Sequence, residues 1–174
     1  MDAERLTQDF TRSASEKLAL NLKQITRCAN LLDDEELWQR ANAHCNSVGN
    51  LILHLTGNVR QWVLAGIAGE PFDRDRAAEF AQRGPLSAEQ VVAALEQIVS
   101  RAIRVISGLS PADVSAARKI QGYELSTLSA VFHVVEHFSC HTGQIVHMTK
   151  VLRDVDLSLY DTDGRRLSGD AATP

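Results

Sequence analysis

The chain has 174 residues, of which 44% are apolar and 23% are charged. This length fits one domain, and the composition supplies enough apolar side chains for a hydrophobic core. The net charge is −4, with acidic and basic residues mixed along the chain. Because binding to phosphates requires a basic surface, we expect no nucleic-acid partner.

The N-terminus, the apolar stretches and the cysteines indicate where in the cell the protein is expected. Residues 1–9 contain acidic side chains and no apolar core, unlike a secretory signal. Apolar stretches end well before the ~20 residues that span a bilayer. The three cysteines, Cys28, Cys45 and Cys140, form no C-x-x-C pair. We therefore predict a cytoplasmic protein with no membrane partner, whose cysteines are reduced and buried as small apolar side chains.

Apolar residues recur every three or four positions in several long segments, as in helices that bury one face. The first helix is predicted over residues 4–32, followed by a short turn at residues 36–40. The second covers residues 47–67 and ends where glycines and a proline follow.

The third helix is predicted to begin after Ser87, because Ser87 and Gln90 match the capping-box pattern, and to end near Ser107. The fourth covers residues 126–153. Two polar stretches, residues 72–85 and 111–123, are predicted to be connections without strands.

Four amphipathic helices without strands predict an all-α fold, a four-helix bundle with long connections. We expect residues 1–153 to form this single domain. Residues 154–174 are rich in Gly, Asp, Ser and Thr, with few apolar anchors, and are predicted to be a loosely ordered tail. The interior of such a bundle is a common place for a metal or ligand site.

Histidines are concentrated on the inward faces of two predicted helices. His133, His137 and His141 are spaced four residues apart on the fourth helix, so adjacent pairs share a face. His133 and His141 are about 12 Å apart along the axis, whereas two ligands of one metal lie only ~3–3.5 Å apart. One adjacent pair could therefore bind a metal, with His54 of the second helix as the best candidate for a third ligand.

His54 belongs to a polar series on the second helix that also contains Asn46, Asn50 and Asn58, four residues apart. Buried polar groups without partners cost ~1–3 kcal/mol each, and a metal with its bound waters would supply partners. The alternative is that the histidines are hydrogen-bonded core residues, as single buried histidines usually are. The residues alone leave both interpretations open.

Two of these segments resemble a known family. Residues 137–145, with the H-x-x-x-H-x-G-Q pattern, and residues 46–58 are similar to the fourth and second helices of the DinB-like (DinB/YfiT) metal-binding bundles. The linker at residues 69–80 resembles that of a subgroup with no settled function. The resemblance covers residues 6–152.

The resemblance implies one divalent metal ion, zinc or nickel, bound by His54, His137 and His141. It also implies a homodimer. His133 has counterparts in the family that are not usually ligands, so it is predicted to lie behind the ligands or to face a substrate.

Other residues around the predicted site are candidates for supporting roles. Asn50, Asn58 and Gln144 could orient a substrate or the ligands. Arg74 or Arg76 could contact a substrate carboxylate, although surface ion pairs on a solvated loop are the favoured interpretation of both.

Three imidazoles leave at least one coordination position open, as in catalytic zinc sites. Glu136 is about 100° around the helix from His137 and is expected to be exposed or behind the ligands, so a general base for hydrolysis is not evident. By resemblance, the leading hypothesis is a metal-dependent S-transferase that joins a low-molecular-weight thiol to a small electrophile.

Two other functions were weighed against the transferase. The first is a metal-binding stress or interaction protein without turnover, because a metal that binds only the folded state stabilises it. The second is a di-iron carboxylate bundle, which requires Glu-x-x-His pairs. No such pair occurs in the sequence, so the di-iron interpretation is rejected.

Overall fold

The computed structural model describes residues 2–165 and confirms the all-α bundle. Four long helices form it: α1 (Ala3–Ala29), α3 (Val48–Val59, continued by a π-helix at Arg60–Ala65), α5 (Ala88–Ser107) and α7 (Thr127–Arg153). Short elements occupy the connections: α2 (Asp34–Trp38), α4 (Arg76–Ala81), α6 (Pro111–Ser115), β1 (Ala117–Ile120) and β2 (Tyr123–Ser126).

The long helices begin at side chains that satisfy free backbone N–H groups. Ser87 accepts a hydrogen bond from the Gln90 backbone, and the Gln90 side chain accepts one from the Ser87 backbone, so the predicted capping box is present. Ser47 and Asn50 form the same arrangement at the start of α3. Such caps stabilise a helix by ~1 kcal/mol each.

The core lies where the four long helices face one another. α1 packs against α5 and α7, and α3 packs against the same two helices. Leu18, Ile52, Leu95 and Phe138, one from each long helix, are fully buried. Each contributes ~1.5–3 kcal/mol through burial, so the four apolar faces hold the helices that position the site.

The prediction that residues 111–123 contain no strand was wrong. β1 and β2 pair as an antiparallel hairpin, with Ile120 opposite Tyr123. Gln121 and Gly122 form its turn, with φ values of 52° and 84°, as a tight hairpin turn requires. Buried Ile120 packs beside Gly66, just beyond the π-helix. Four-residue strands are too short to show a clear alternating pattern.

The segment after α7 begins at Asp154, which adopts a left-handed conformation with φ 47°. Leu157 is buried in the core, and Arg27 Nη1 donates a hydrogen bond of 2.7 Å to the Leu157 carbonyl. This contact attaches the first part of the predicted tail to α1. The rest of that tail, residues 166–174, lies outside the described residues.

The cysteines are free and differ in burial. Cys28 is buried and Cys45 half-buried, whereas Cys140 is exposed, so the prediction that all three are buried was wrong for Cys140. Within residues 2–165, no helix combines the length and apolar character needed to cross a membrane.

Candidate metal centre

His54 lies in the middle of α3, on the face turned toward α7. Its side chain is buried, with 4% of the residue exposed. Leu51, Ile52 and Leu55 around it are buried in the core, which fixes the rotation of α3 and the direction of the ring. The His54 Nε2 atom lies 2.9 Å from the Nε2 atom of His137 on α7.

His137 and His141 are one turn apart on α7, and their ring centroids lie 4.5 Å apart. The centroid of His54 is 5.1 Å from each of them. One nitrogen from each of the three rings can be chosen so that all lie within 4.8 Å of one another. The structure therefore brings together the three predicted ligands, which could hold a metal ion.

The donor set fits a divalent metal. Imidazole nitrogens bind zinc at ~2.0–2.1 Å, so the three nitrogens need only small shifts to share one ion. His141 Nδ1 lies 2.7 Å from the Gln144 Oε1 atom, which leaves Nε2 of this ring available. Gln144 thus contacts a predicted ligand.

The surroundings favour neutral imidazoles, the form that binds metals. Burial, followed by the neighbouring histidines His141, His54 and His133 and by Arg74, lowers the pKa of His137 to about 3. Burial also lowers the pKa of His141, and the hydrogen bond to Gln144 offsets part of that effect. A metal ion therefore need not displace a proton from His137 at neutral pH.

Two residues of the connection between α3 and α5 complete the site. Glu79 on α4 places Oε2 at 3.1 Å from His54 Nδ1, on the side of the ring opposite to His137. Arg74 binds the same carboxylate through two contacts, Nε to Oε1 at 2.7 Å and Nη2 to Oε2 at 2.8 Å. Only 4% of the Arg74 side chain and 11% of the Glu79 side chain are exposed.

This arrangement corrects the expectation that Arg74 lies on a solvated loop. Arg74 Nη1 donates to Gln61 and Nη2 donates to the His54 carbonyl, so the guanidinium is held by protein groups. Burial alone would raise the pKa of Glu79, but hydrogen bonds from His54 and Arg74, together with the Arg74 charge, lower it below its usual range. Glu79 is therefore a carboxylate at neutral pH.

The sequence analysis did not identify Glu79. Its contact with His54 bridges 25 residues and follows no helical spacing. One signal is present in the sequence, namely Gly57 in the interior of the predicted second helix, where glycine is unfavourable. A Cβ at Gly57 would collide with Glu79 Oε1 and lie 2.9 Å from Arg74 Nε. The glycine leaves the space that the ion pair occupies.

Asn50 differs from the expectation that a metal and its waters would be the partners of the asparagines beside His54. Asn50 Nδ2 donates to the carbonyls of Glu79 and Gln82, at 2.9 and 3.0 Å, so Asn50 attaches α4 to α3. Asn58 is buried, and its Oδ1 atom has no hydrogen-bond partner within the described part of the chain.

His133 lies one turn before His137, and the two rings stack with centroids 5.4 Å apart. On its other side, His133 packs against Trp62 of the π-helix at 4.1 Å. Burial lowers the pKa of His133. This ring is therefore beside the three-histidine group but outside it.

Arg76 and Glu136 lie outside the three-histidine group. The Arg76 guanidinium covers the ring of Phe80 at 4.8 Å, and Phe80 packs on His54 with centroids 4.7 Å apart. Arg76 thus packs on the ring that packs on His54. Glu136 is exposed on α7, as expected.

Comparisons with known proteins agree with this fold. The model of a family described as "Protein of unknown function (DUF1572)" matches residues 5–161. A DinB-like protein from Bacillus cereus ATCC 10987 has a similar structure, with a TM-score of 0.65 and 15% identity over 81% of this chain and 91% of that one. A conserved protein from Enterococcus faecalis also has a similar structure, with a TM-score of 0.69 and 12% identity over 83% of this chain and 98% of that one.

A comparison with curated proteins gave no significant match. At these identities the structural likeness shows the fold alone, whereas the family match extends over most of the chain. The chain therefore belongs to the DUF1572 family, and its fold is like that of the two solved structures.

Proposed function

We propose that this protein binds one divalent metal ion, zinc or nickel, through His54, His137 and His141. The observation that supports it most directly is the grouping of the three histidine nitrogens within 4.8 Å. Imidazole donors suit both metals, and Glu79 behind His54 resembles the carboxylate partner of many metal-bound histidines.

We further propose that the centre serves a thiol S-transferase for small electrophiles. A bound metal would supply a positive charge that lowers the pKa of a coordinated thiol. In the reaction, the thiol proton goes to solvent and the sulfur forms a bond to the electrophilic carbon. The leaving group, or an opened ring oxygen, takes the electron pair of the broken bond.

Two features favour a thiol over a metal-activated water. Glu79 is already bonded to His54 and Arg74, and it lies on the side of His54 away from the shared nitrogens. Glu136 is exposed, so neither carboxylate is placed as a base for water. A thiol needs no such base, because its sulfur is a strong nucleophile once ionised. His137 and His141 are half-buried, which leaves the group within reach of solvent.

The second candidate is a metal-binding stress or interaction protein without turnover. One observation favours it: His54 Nε2 and His137 Nε2 lie 2.9 Å apart across the contact between α3 and α7, where a metal would act as a structural link. In this function the metal would stabilise the bundle, because it links α3 to α7 and binds only the folded chain.

The first test is the metal content of the untagged protein, measured by elemental mass spectrometry beside the His137→Ala, His141→Ala double variant. We expect close to one metal per chain in the wild type and none in the variant. A wild type that is empty and takes up neither zinc nor nickel would refute the metal site.

The second test separates the two functions. Addition of a low-molecular-weight thiol to the nickel-loaded protein should produce a sulfur-to-metal charge-transfer band. A loaded protein that gives no band, and no thioether product with small electrophiles, would favour the metal-binding protein without turnover.

A further inference from the structure

The Arg74–Glu79 pair is placed behind one of the proposed ligands, and it is buried. A guanidinium and a carboxylate removed from water need good geometry and further hydrogen bonds to offset their desolvation. Arg74 has both, since it binds two carboxylate oxygens, the Gln61 side chain and the His54 carbonyl. The pair therefore holds Glu79 Oε2 in a fixed place at 3.1 Å from His54 Nδ1.

The backbone of α3 is shaped around this pair. Gly57 provides the space in which the Glu79 carboxylate and Arg74 Nε lie, because any Cβ there would meet both. Asn50, one turn before His54, binds the carbonyls of Glu79 and Gln82 and so fixes the position of α4. Three positions along one face of α3, residues 50, 54 and 57, thus engage the same short segment.

The chemistry of the contact determines which His54 nitrogen can bind a metal. A carboxylate only accepts hydrogen bonds, so it favours the tautomer with a proton on Nδ1 and a free lone pair on Nε2. Arg74 Nη2 also lies 3.1 Å from Nδ1, but a guanidinium only donates and would favour the opposite tautomer. Glu79 Oε2 lies within hydrogen-bond distance of both Arg74 Nη2 and His54 Nδ1 and accepts from both. Arg74 Nη2 therefore does not need Nδ1 as an acceptor.

We propose that Glu79 and Arg74 are positioning residues: Glu79 accepts the Nδ1 hydrogen of His54 and so directs Nε2 toward the metal, and Arg74 holds the carboxylate in place. This inference rests on the proposed metal site. It assigns a role in metal affinity to α4, a segment that contains none of the three ligands. Removing a comparable partner of a ligand weakens metal affinity ~10–100-fold.

The experiment compares two variants that disturb the contact in different ways. Glu79→Gln removes the charge of the carboxylate. Gly57→Ala removes no charged group, but it adds one methyl group that pushes the carboxylate away from its position. Glu70→Gln, at a surface pair with Arg101, and Gly108→Ala, at the end of α5 where an added Cβ meets nothing closer than 3.5 Å, are the matched controls.

The measurements are the zinc dissociation constant, obtained by chelator competition, and the His54 tautomer, obtained from nitrogen-15 NMR of the metal-free protein. Circular dichroism shows that each variant folds. We expect a dissociation constant ~10–100-fold higher for Glu79→Gln, a smaller increase for Gly57→Ala, and control values within twofold of the wild type. Wild-type His54 should hold its proton on Nδ1, and Gly57→Ala should shift it toward Nε2.

The outcomes separate this inference from the proposed function. A wild type that binds zinc with the same affinity as both Gly57→Ala and Glu79→Gln would overturn the positioning role and leave the metal site intact. A wild-type His54 with its proton on Nε2 would overturn it as well. A wild type with the Nδ1 proton but no affinity for zinc or nickel would refute both the proposed metal site and the role of the pair in metal binding.

Discussion

His54 and His137 face each other across the contact between α3 and α7, with their Nε2 atoms 2.9 Å apart although 83 residues separate them in the chain. Two nitrogens at this distance share either one proton or one metal ion. A metal would therefore join the second and fourth long helices at a point where the protein otherwise has a single hydrogen bond. Metal binding should therefore be measurable as a gain in the stability of the folded protein.

Zinc should raise the melting temperature of the wild type, because a ligand that binds only the folded state stabilises it. At a free concentration 100-fold above the dissociation constant, the gain is about 2.7 kcal/mol. Thermal unfolding with and without zinc measures it, and His137→Ala should lose most of the response. Cys45→Ser, at a half-buried cysteine outside the histidine group, is the control and should retain it. Equal responses in wild type and His137→Ala would contradict the assignment.

The metal-free protein should lose stability as the pH falls below ~6.5, the usual pKa of histidine. The folded-state pKa of His137 is lowered to about 3, so between these values the unfolded chain binds a proton that the folded chain does not. The contribution of His137 to the free energy of unfolding is therefore complete above the pKa of the unfolded chain. It is lost as the pH falls toward the pKa of the folded protein, at up to about 1.4 kcal/mol per pH unit.

Urea unfolding between pH 5 and 8 tests this linkage. The free energy of unfolding should fall more steeply with decreasing pH in the wild type than in His137→Gln, which lacks the titrating ring. Above pH 7 the two curves should run parallel, which provides an internal control. Identical slopes below pH 6.5 would show that His137 titrates in the folded protein much as it does in the unfolded chain.

Glu79→Ala should destabilise the metal-free bundle by about 3–5 kcal/mol, because it leaves the buried Arg74 charge without its partner. Chemical denaturation gives the change in free energy, and a second substitution, Arg74→Met, should restore part of it. The matched control is Glu70→Ala, which breaks a pair with Arg101 whose side chains are 36% and 37% exposed. Such a surface pair is worth at most about 1 kcal/mol. A loss as small for Glu79→Ala would mean that water reaches Arg74.

Gly66→Ala tests the hairpin that the sequence analysis missed. The added Cβ would lie 2.5 Å from Ile120 Cδ1 and 2.7 Å from the Trp62 carbonyl oxygen. Overpacking of this kind costs about 1–3 kcal/mol, and the melting temperature should fall accordingly. Gly143→Ala, in an open position of α7, should instead gain up to ~1 kcal/mol from helix propensity. Equal stabilities of the two variants would argue against the close packing of β1 on the helix.

The parts of the molecule that were predicted from the sequence depend on local patterns. The stripes that place Leu18, Ile52 and Leu95 in the core need only helical spacing, and the Gln144–His141 contact joins residues three positions apart on one helix. The choice of His137 and His141 with His54 came from the family resemblance, because helical spacing alone leaves either adjacent pair of α7 histidines open.

The parts that were missed depend on contacts between distant and irregular segments. None of the residues of α4 is buried, so no apolar stripe marks it, and it is held by polar contacts from Asn50, Arg74 and His54. Single-sequence periodicity carries no information about such contacts. The same holds for the hairpin, whose only strongly buried residue is Ile120.

The π-helix at Arg60–Ala65 continues α3 with a different spacing of its backbone hydrogen bonds. The Gly66 N–H donates to the Gln61 carbonyl, and the Ala68 N–H donates to the Val63 carbonyl. Each bond reaches five residues back rather than four, so the turn is wider than in an α-helix. Trp62, Val63 and Leu64, within this segment, are all buried. The wider turn changes the phase of the side chains that follow, so the rotation of α3 at His54 does not by itself set the direction in which Gly66 meets Ile120 of the hairpin.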